Sequence, residues 1–205
     1  MFPPVVETDR LRLERFDEAV EIDEAYEYFG RDETVEEELR YLTQTPDDTP
    51  KETFDRLREA REEWDEAESA LYAVFPKEGE DGAGELAGDA KLSMDWGRGG
   101  AVLGVRFRKR FWGRGYSGER AAAMLTVTFD HLDLDIVWAG AAAGNDNSRR
   151  AIEKYVDRFG GRYDGQIRHW VPLDEEVADI HSYSITREEF EANRETASEV
   201  TIHDG

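Results

Sequence analysis

Hydrophobic and polar positions alternate over residues 8–16, T-D-R-L-R-L-E-R-F, which sends Leu11, Leu13 and Phe16 to one side and predicts a first strand. From Glu18 to Leu42, and again from Pro50 to Ala67, the period changes. Glu, Arg, Leu and aromatic residues recur at helical spacing, predicting two or three short helices broken near Gly30 and through Thr45 to Pro50. Ala70 to Pro76 (A-L-Y-A-V-F-P) reads as a buried strand, Lys77 to Gly84 as an acidic hairpin loop and Leu86 to Trp96 as the next strand. The turn Gly97 to Gly100 leads into a further strand, Ala101 to Phe107.

The second half reads as α/β. An alanine-dense helix, Gly118 to His131, offers Met124, Leu125, Val127 and Phe129 for packing. The buried strand Asp135 to Ala142 follows, completing a β-α-β unit with a right-handed crossover expected. Asn145 to Phe159 is a helix with asparagine and serine available as caps, closed by Gly160 and Gly161. Arg162 to Pro172 and Asp179 to Thr186 are the last strands, and a short helix comes next. Neither a repeat nor a linker divides the chain, so residues 1–195 are expected to form one domain, with a disordered acidic tail over 196–205.

Charge changes this picture more than length does. Asp and Glu number 48 against 26 Lys and Arg, a net charge of −22, and only five of the cations are lysines. Such an excess repels itself at low salt and is screened at molar salt, where the Debye length falls to about 3 Å. Because the acid is spread along the chain, the composition points to the cytoplasm of an extreme halophile. A chain this acidic has no extended basic surface for nucleic acid. The absence of cysteine excludes disulfides, thiolate zinc sites and cysteine nucleophiles. With no signal-peptide pattern and no apolar run near the roughly 18 residues of a membrane span, a soluble cytoplasmic protein without membrane partners is expected.

Against that background the stretch Val105 to Arg120, V-R-F-R-K-R-F-W-G-R-G-Y-S-G-E-R, stands out. A strand runs into a turn punctuated by Gly113 and Gly115, and the turn opens into a helix. Glycines there let successive N–H groups converge on an anion at a helix N-terminus. The segment lacks the Lys-Ser/Thr ending of a P-loop and the three-glycine spacing of a dinucleotide fold. What remains is a short pyrophosphate cradle, with cations nearby at Arg106, Arg108, Lys109, Arg110 and Arg114.

Three segments carry a further signal: E-T-D-R-L-R-L-E-R-F (Glu7 to Phe16), F-W-G-R-G-Y-S-G-E (Phe111 to Glu119) and N-D-N-S-R-R-A-I-E-K-Y (Asn145 to Tyr155). Together they resemble the GNAT superfamily of acetyl-CoA-dependent N-acetyltransferases, and within it the RimJ/RimL-like branch that acetylates ribosomal-protein N-termini. The resemblance covers about Glu7 to Glu189. It implies a mixed, mostly antiparallel, twisted sheet of six or seven strands, flanked by helices and splayed at an acetyl-CoA cleft. Two registers of the family's phosphate signature compete, one starting at Arg110 and one at Trp112, and both place Gly113 and Gly115 in the loop.

The resemblance also implies roles. Val105, Arg106 and Phe107 would pair their backbone with the pantetheine arm. Trp112, Gly113, Arg114, Gly115, Tyr116, Ser117 and Gly118 would hold the pyrophosphate, and Asn145 and Ser148 would lie near the thioester. Acetyl transfer to an amine needs a base, oxyanion stabilisation and an acid for the thiolate. A backbone N–H near Val105 would serve the oxyanion, Tyr155 is the candidate acid and Asp89 the candidate base, with Asp95 and His131 as other titratable choices. No metal is implied. The expected partner is an amine acceptor, most specifically a ribosomal-protein N-terminus, for a monomer or homodimer. Two other readings stay open: a small-molecule acetyltransferase for polyamines, antibiotics or amino sugars, and a non-catalytic acetyl-CoA-binding module.

Overall fold

The alternation that opens the chain becomes strand β2 (Leu11–Arg15), in which Leu11 and Leu13 are fully buried, as is Phe16 just beyond it. A shorter strand, β1 (Val5–Glu7), precedes β2 and pairs antiparallel with it. The computed structural model describes residues 1–173, 176–194 and 199–203.

The helical stretch that follows folds as α1 (Phe16–Ala19), α2 (Ile22–Tyr26), α3 (Val35–Leu39) and α4 (Pro50–Asp65), with a π-helical turn at Glu27–Arg31. The break near Gly30 has a steric cause, because a Cβ there would lie 2.2 Å from the Asp47 carbonyl oxygen. At the start of α4 the Thr49 side chain accepts from the Glu52 N–H and Pro50 occupies the first turn, where its missing donor costs nothing.

The remaining elements are β3 (Ser69–Pro76), β4 (Gly88–Asp95), β5 (Gly100–Phe107), α5 (Tyr116–Thr126), β6 (Ile136–Ala142), α6 (Asp146–Arg158), β7 (Arg162–Pro172), β8 (Val177–Thr186), α7 (Arg187–Ala192) and β9 (Thr201–His203). α5 runs on through a π-helical turn to His131. The strands form one nine-stranded sheet in the order β7-β8-β6-β5-β4-β3-β2-β1-β9, with β5 and β6 parallel and every other neighbouring pair antiparallel. Six or seven strands were expected. The surplus comes from β1 and β9, three-residue pieces too short for alternation to reveal. β9 also corrects the expected disordered tail: Val5 pairs with His203 and Glu7 with Thr201, while Ile202 packs on the core. Residues 195–198 and 204–205 lie outside the described residues.

The sheet has two apolar faces. On one, α5 and α6 cover Leu11, Leu13, Ala90, Leu92, Ala101 and Leu103. On the other, Phe16, Val20, Tyr28 and Phe29 from the early helical segment pack against Ala73 and Leu86. β5 and β6 are partners only from Gly100–Ile136 to Leu103–Ala139. Past that point β5 continues paired with β4 alone and β6 with β8 alone, so the sheet splits between Gly104–Phe107 and Gly140–Ala142.

The mouth of this split is fixed by one buried carboxylate. Glu119, in the first turns of α5, accepts from Thr8 Oγ1 at 2.6 Å, from the Arg10 N–H at 2.7 Å and from Arg10 Nε at 2.7 Å, with Arg10 Nη2 at 2.6 Å. Arg10 Nη1 then donates to the Arg114 carbonyl at 3.2 Å, and its guanidinium lies 5.2 Å from the Tyr116 ring centre. The β1–β2 turn is thereby bolted to the turn before α5. In Glu119→Gln an amide N–H₂ group would face donors where a carboxylate oxygen accepted them. With Arg10 partly exposed and its charge screened, a loss of about 2 kcal/mol is expected, read as a fall of about 5 °C in the thermal midpoint; an unchanged midpoint would show that the clamp is slack.

Candidate active site

Gly113 and Gly115 take φ of 77° and 81°, the left-handed region that disfavours a side chain, and a Cβ on Gly113 would meet open space. Gly115 is the N-cap of α5 and supplies no side-chain acceptor. Phe111 and Trp112 donate their N–H groups back to Arg108 and Lys109, and Gly118 and Glu119 donate to the Gly115 carbonyl. Between them, the N–H groups of Gly113 to Ser117 have no protein acceptor among the described residues. A run of free donors at the positive end of a helix dipole is chemically suited to a pyrophosphate.

Side-chain cations contribute less than the sequence suggests. Arg114 pairs with Asp81 at 2.6 Å, Arg110 with Glu85 at 2.5 Å, Lys109 with Glu37 at 2.6 Å, Arg108 with Asp32 at 3.7 Å and Arg106 with Asp89 at 3.8 Å. Each cation thus already faces a carboxylate, and the backbone supplies the unopposed positive potential. Two of these partners come from the β3–β4 loop, which also sends Glu80 to the Tyr116 hydroxyl at 2.7 Å. Tyr116 is buried. Trp112 is partly exposed and donates Nε1 to the Phe107 carbonyl at 2.8 Å, closing the corner between β5 and the cradle.

Val105, Arg106 and Phe107 lie on the stretch of β5 that has parted from β6, as a strand-like partner would require. The Arg106 side chain turns the other way. It is buried with its guanidinium 3.6 Å from the Tyr28 ring centre, and Nη2 donates to the Tyr28 carbonyl at 2.9 Å. Asp89 sits opposite Arg106 across the β4–β5 pair and accepts the Tyr28 hydroxyl at 2.8 Å. Burial pushes its carboxyl above the usual range, the Arg106 charge and the Tyr28 hydrogen bond opposing that shift without cancelling it. Its side chain keeps 12% of its exposure.

Tyr155 is buried in the α5–α6 core, where burial pushes its phenol up to about 12, opposed by Arg120. A proton held that tightly passes uphill to a thiolate of ordinary basicity, near pKa 8.5. Arg120 is itself 1% exposed and interacts electrostatically with Tyr155. At the start of α6, Asn145 Oδ1 accepts the Ser148 N–H at 3.1 Å, so this pair caps the helix. The loop before it holds Gly144 at φ 94°, where a Cβ would lie 3.5 Å from the Tyr41 ring. Asp95 ends β4, opposite Gly100 at the start of β5, and accepts the Arg98 N–H; His131 Nε2 contacts the Met1 carbonyl oxygen. Neither is brought to the split.

Residues that sequence reasoning missed are Arg10, Tyr28, Glu80, Asp81 and Arg120. Arg10 and Glu119 both lie inside the quoted motifs, yet nothing in their spacing shows that they are partners. Tyr28 is one aromatic among many in a helical stretch, and no periodic signal separates it. The described residues contain no group of three or more His, Asp or Glu side chains placed to hold a metal, and no helix among them is long and apolar enough to cross a membrane.

Known proteins share this fold. No curated protein matches the chain in sequence. Among solved structures, a GCN5-related N-acetyltransferase from Brucella melitensis superposes with a TM-score of 0.76 at 23% identity, covering 95% of this chain and 86% of its own. A Vibrio cholerae protein classed provisionally as a ribosomal-protein-serine acetyltransferase gives 0.69 at 19% identity, covering 91% and 99%. A spermidine N-acetyltransferase from Vibrio cholerae, in complex with CoA and spermine, gives 0.69 at 13% identity, covering 88% and 97%. At these identities the likeness shows the fold. The family profile described as Acetyltransferase (GNAT) domain matches residues 10–155, which include Arg10, Glu119, the cradle and the split, and the chain belongs to the GNAT acetyltransferase family as an N-acetyltransferase.

Proposed function

We propose that this enzyme moves an acetyl group from acetyl-CoA to the α-amino group of a protein N-terminus, as RimJ/RimL-like enzymes do. The observation that carries the donor half is the row of unpartnered N–H groups from Gly113 to Ser117 at the N-terminus of α5, beside the β5–β6 split. In this reading Trp112, Gly113, Arg114, Gly115, Tyr116, Ser117 and Gly118 surround the pyrophosphate. The free edge of Val105, Arg106 and Phe107 receives the pantetheine arm, with the capped α6 start at Asn145 and Ser148 at its far end. The acceptor half rests on the resemblance of Glu7–Phe16, Phe111–Glu119 and Asn145–Tyr155 to that branch.

In the reaction the amine nitrogen forms the new bond to the thioester carbonyl carbon, the carbon–sulfur bond breaks, and the amine proton must leave while the thiolate gains one. We assign the base to Asp89, whose carboxyl burial pushes above the usual range, making it a stronger base than an exposed carboxylate. The oxyanion is assigned to a backbone N–H near Val105, where β5 has lost β6 as a partner. For Tyr155 the buried phenol supports a positioning role through Arg120 over direct proton donation. A second reading, a polyamine acetyltransferase, is favoured by the run Glu36, Glu37 and Glu38 on α3, which joins the exit of β5 through Glu38 and the Lys109 N–H at 2.7 Å. The net charge of −22 supports a protein built for concentrated salt.

A thiol-release assay with acetyl-CoA in molar KCl, run on peptides beginning with Ser, Ala or Thr and on spermidine, separates the readings. Turnover on the peptides is expected; turnover confined to spermidine would transfer the protein to the second reading, and silence on both would leave a binding module. For Asp89, a raised carboxyl pKa means activity climbs as pH rises through it. The linked effect on stability has the opposite sign, since the folded state holds the proton to higher pH than the unfolded chain and stability falls across that window. Asp89→Asn still accepts from Tyr28, so it is expected to fold, to lower kcat/KM by about 10²- to 10⁴-fold and to abolish the acid limb of the pH profile. A limb that persists would remove Asp89 from the base role. Finally, the thermal midpoint should rise as KCl goes from about 0.1 M to about 1 M, where the Debye length shortens from about 10 to about 3 Å; a falling midpoint would contradict the salt adaptation.

A further inference from the structure

Arg120 has the largest of the fully buried side chains, and the assignments above give it only a supporting part. It follows Glu119 on α5, yet where Glu119 is saturated by Thr8 and Arg10, the Nε and Nη1 of Arg120 meet no protein acceptor among the described residues. Its guanidinium lies close enough to the Tyr155 phenol, across the α5–α6 contact, for each to shift the other's titration. A buried guanidinium with idle donors is costly, and burial pushes its pKa down from the usual arginine value.

Its position says what kind of group would use those donors. α5 packs over β5, whereas α6 packs over β6 and β8. The seam between the helices, where Arg120 and Tyr155 meet, therefore lies over the line along which β5 and β6 separate. Arg120 also feels the charge of Asp89, whose cross-strand partner Arg106 lies on the part of β5 beyond the last β5–β6 pair. Idle guanidinium N–H groups can only donate, so the chemistry needed is an oxygen that accepts without donating.

We propose that Arg120 is a donor-binding residue, its buried Nε and Nη1 hydrogen-bonding a carbonyl oxygen of the acyl-pantetheine arm inside the split, with Tyr155 holding the guanidinium in place. The assignment rests on acetyl-CoA being the donor, as proposed above. It makes the buried arm of the cofactor subject to a side chain in addition to the backbone of β5, and it gives Tyr155 a task consistent with its burial.

The test is calorimetric binding of three probes to the full chain. ADP reaches the cradle and carries no pantetheine, CoA adds the arm with its amide carbonyls, and acetyl-CoA adds the thioester carbonyl. In Arg120→Met a neutral side chain of similar reach replaces a buried charge, a change that is often neutral for stability. It is expected to bind ADP as the native protein does and to weaken CoA and acetyl-CoA by about ten- to a hundred-fold, the value of hydrogen bonds from a charged donor. A loss confined to acetyl-CoA supports the proposal with the thioester carbonyl as acceptor; a loss shared by CoA supports it with an amide carbonyl. Native affinity for all three probes would overturn it. Equal losses for ADP and CoA, in Arg120→Met and in Arg120→Lys alike, would also overturn it by making Arg120 part of the cradle's scaffold. If the native protein binds none of the probes, the failure belongs to the acetyl-CoA reading itself.

Discussion

A parallel strand pair that is abandoned partway along is the constraint around which this molecule is organised. β5 and β6 are held together for four residue pairs, from Gly100–Ile136 to Leu103–Ala139, and then each keeps only its antiparallel neighbour. Backbone polar groups left in the interior must find partners, so a sheet opened in its middle exposes β5 to whatever can pair with it. The crossover that makes the pair parallel also brings the start of α5 to the mouth of the opening. Split and cradle are thus two results of one β-α-β connection.

Holding the opening in shape falls to groups far apart in the chain. Glu119 fixes the mouth by gathering donors from Thr8 and Arg10. On the opposite face Tyr28 joins Asp89 of β4 to Arg106 of β5 through its hydroxyl, its ring and its carbonyl. Arg106 therefore has a divided role, its backbone turned to the split and its side chain locked beneath the early helices. The acidic loop after β3 reaches over to neutralise Arg114 and cover Tyr116. An excess of carboxylates is what allows every cation around the cradle to be matched.

The fold was legible wherever a segment was long enough to show a period. Leu11, Leu13 and Phe16 follow the alternation and the alanine-rich helix its helical spacing because one face of each is buried, whereas β3 shows as a continuous apolar run because both of its faces are covered. β1 and β9 escaped, three residues being too few to establish any period. In the site, the backbone features were legible because glycine restricts what a turn can be, and Gly113 and Gly115 do adopt positive φ. Side-chain partnerships were not. The five cations before α5 looked like phosphate ligands, yet each is matched by a carboxylate tens of residues away or on a neighbouring strand, which no local reading can anticipate. Asn145 and Ser148 could be caps or ligands by type, and the 3.1 Å contact between Asn145 Oδ1 and the Ser148 N–H shows that Asn145 does cap the helix.

The pairing of Val5 with His203 has a further meaning for the chain as a polymer. It brings the two ends of the described structure side by side at one margin of the sheet, so the path through the fold nearly closes on itself. Joining those ends with a short linker and opening the chain in the exposed turn at Lys77 to Gly84 would preserve every strand pairing while reversing which segments emerge first during synthesis. The β5-α5-β6 connection that makes the split would stay intact in such a chain.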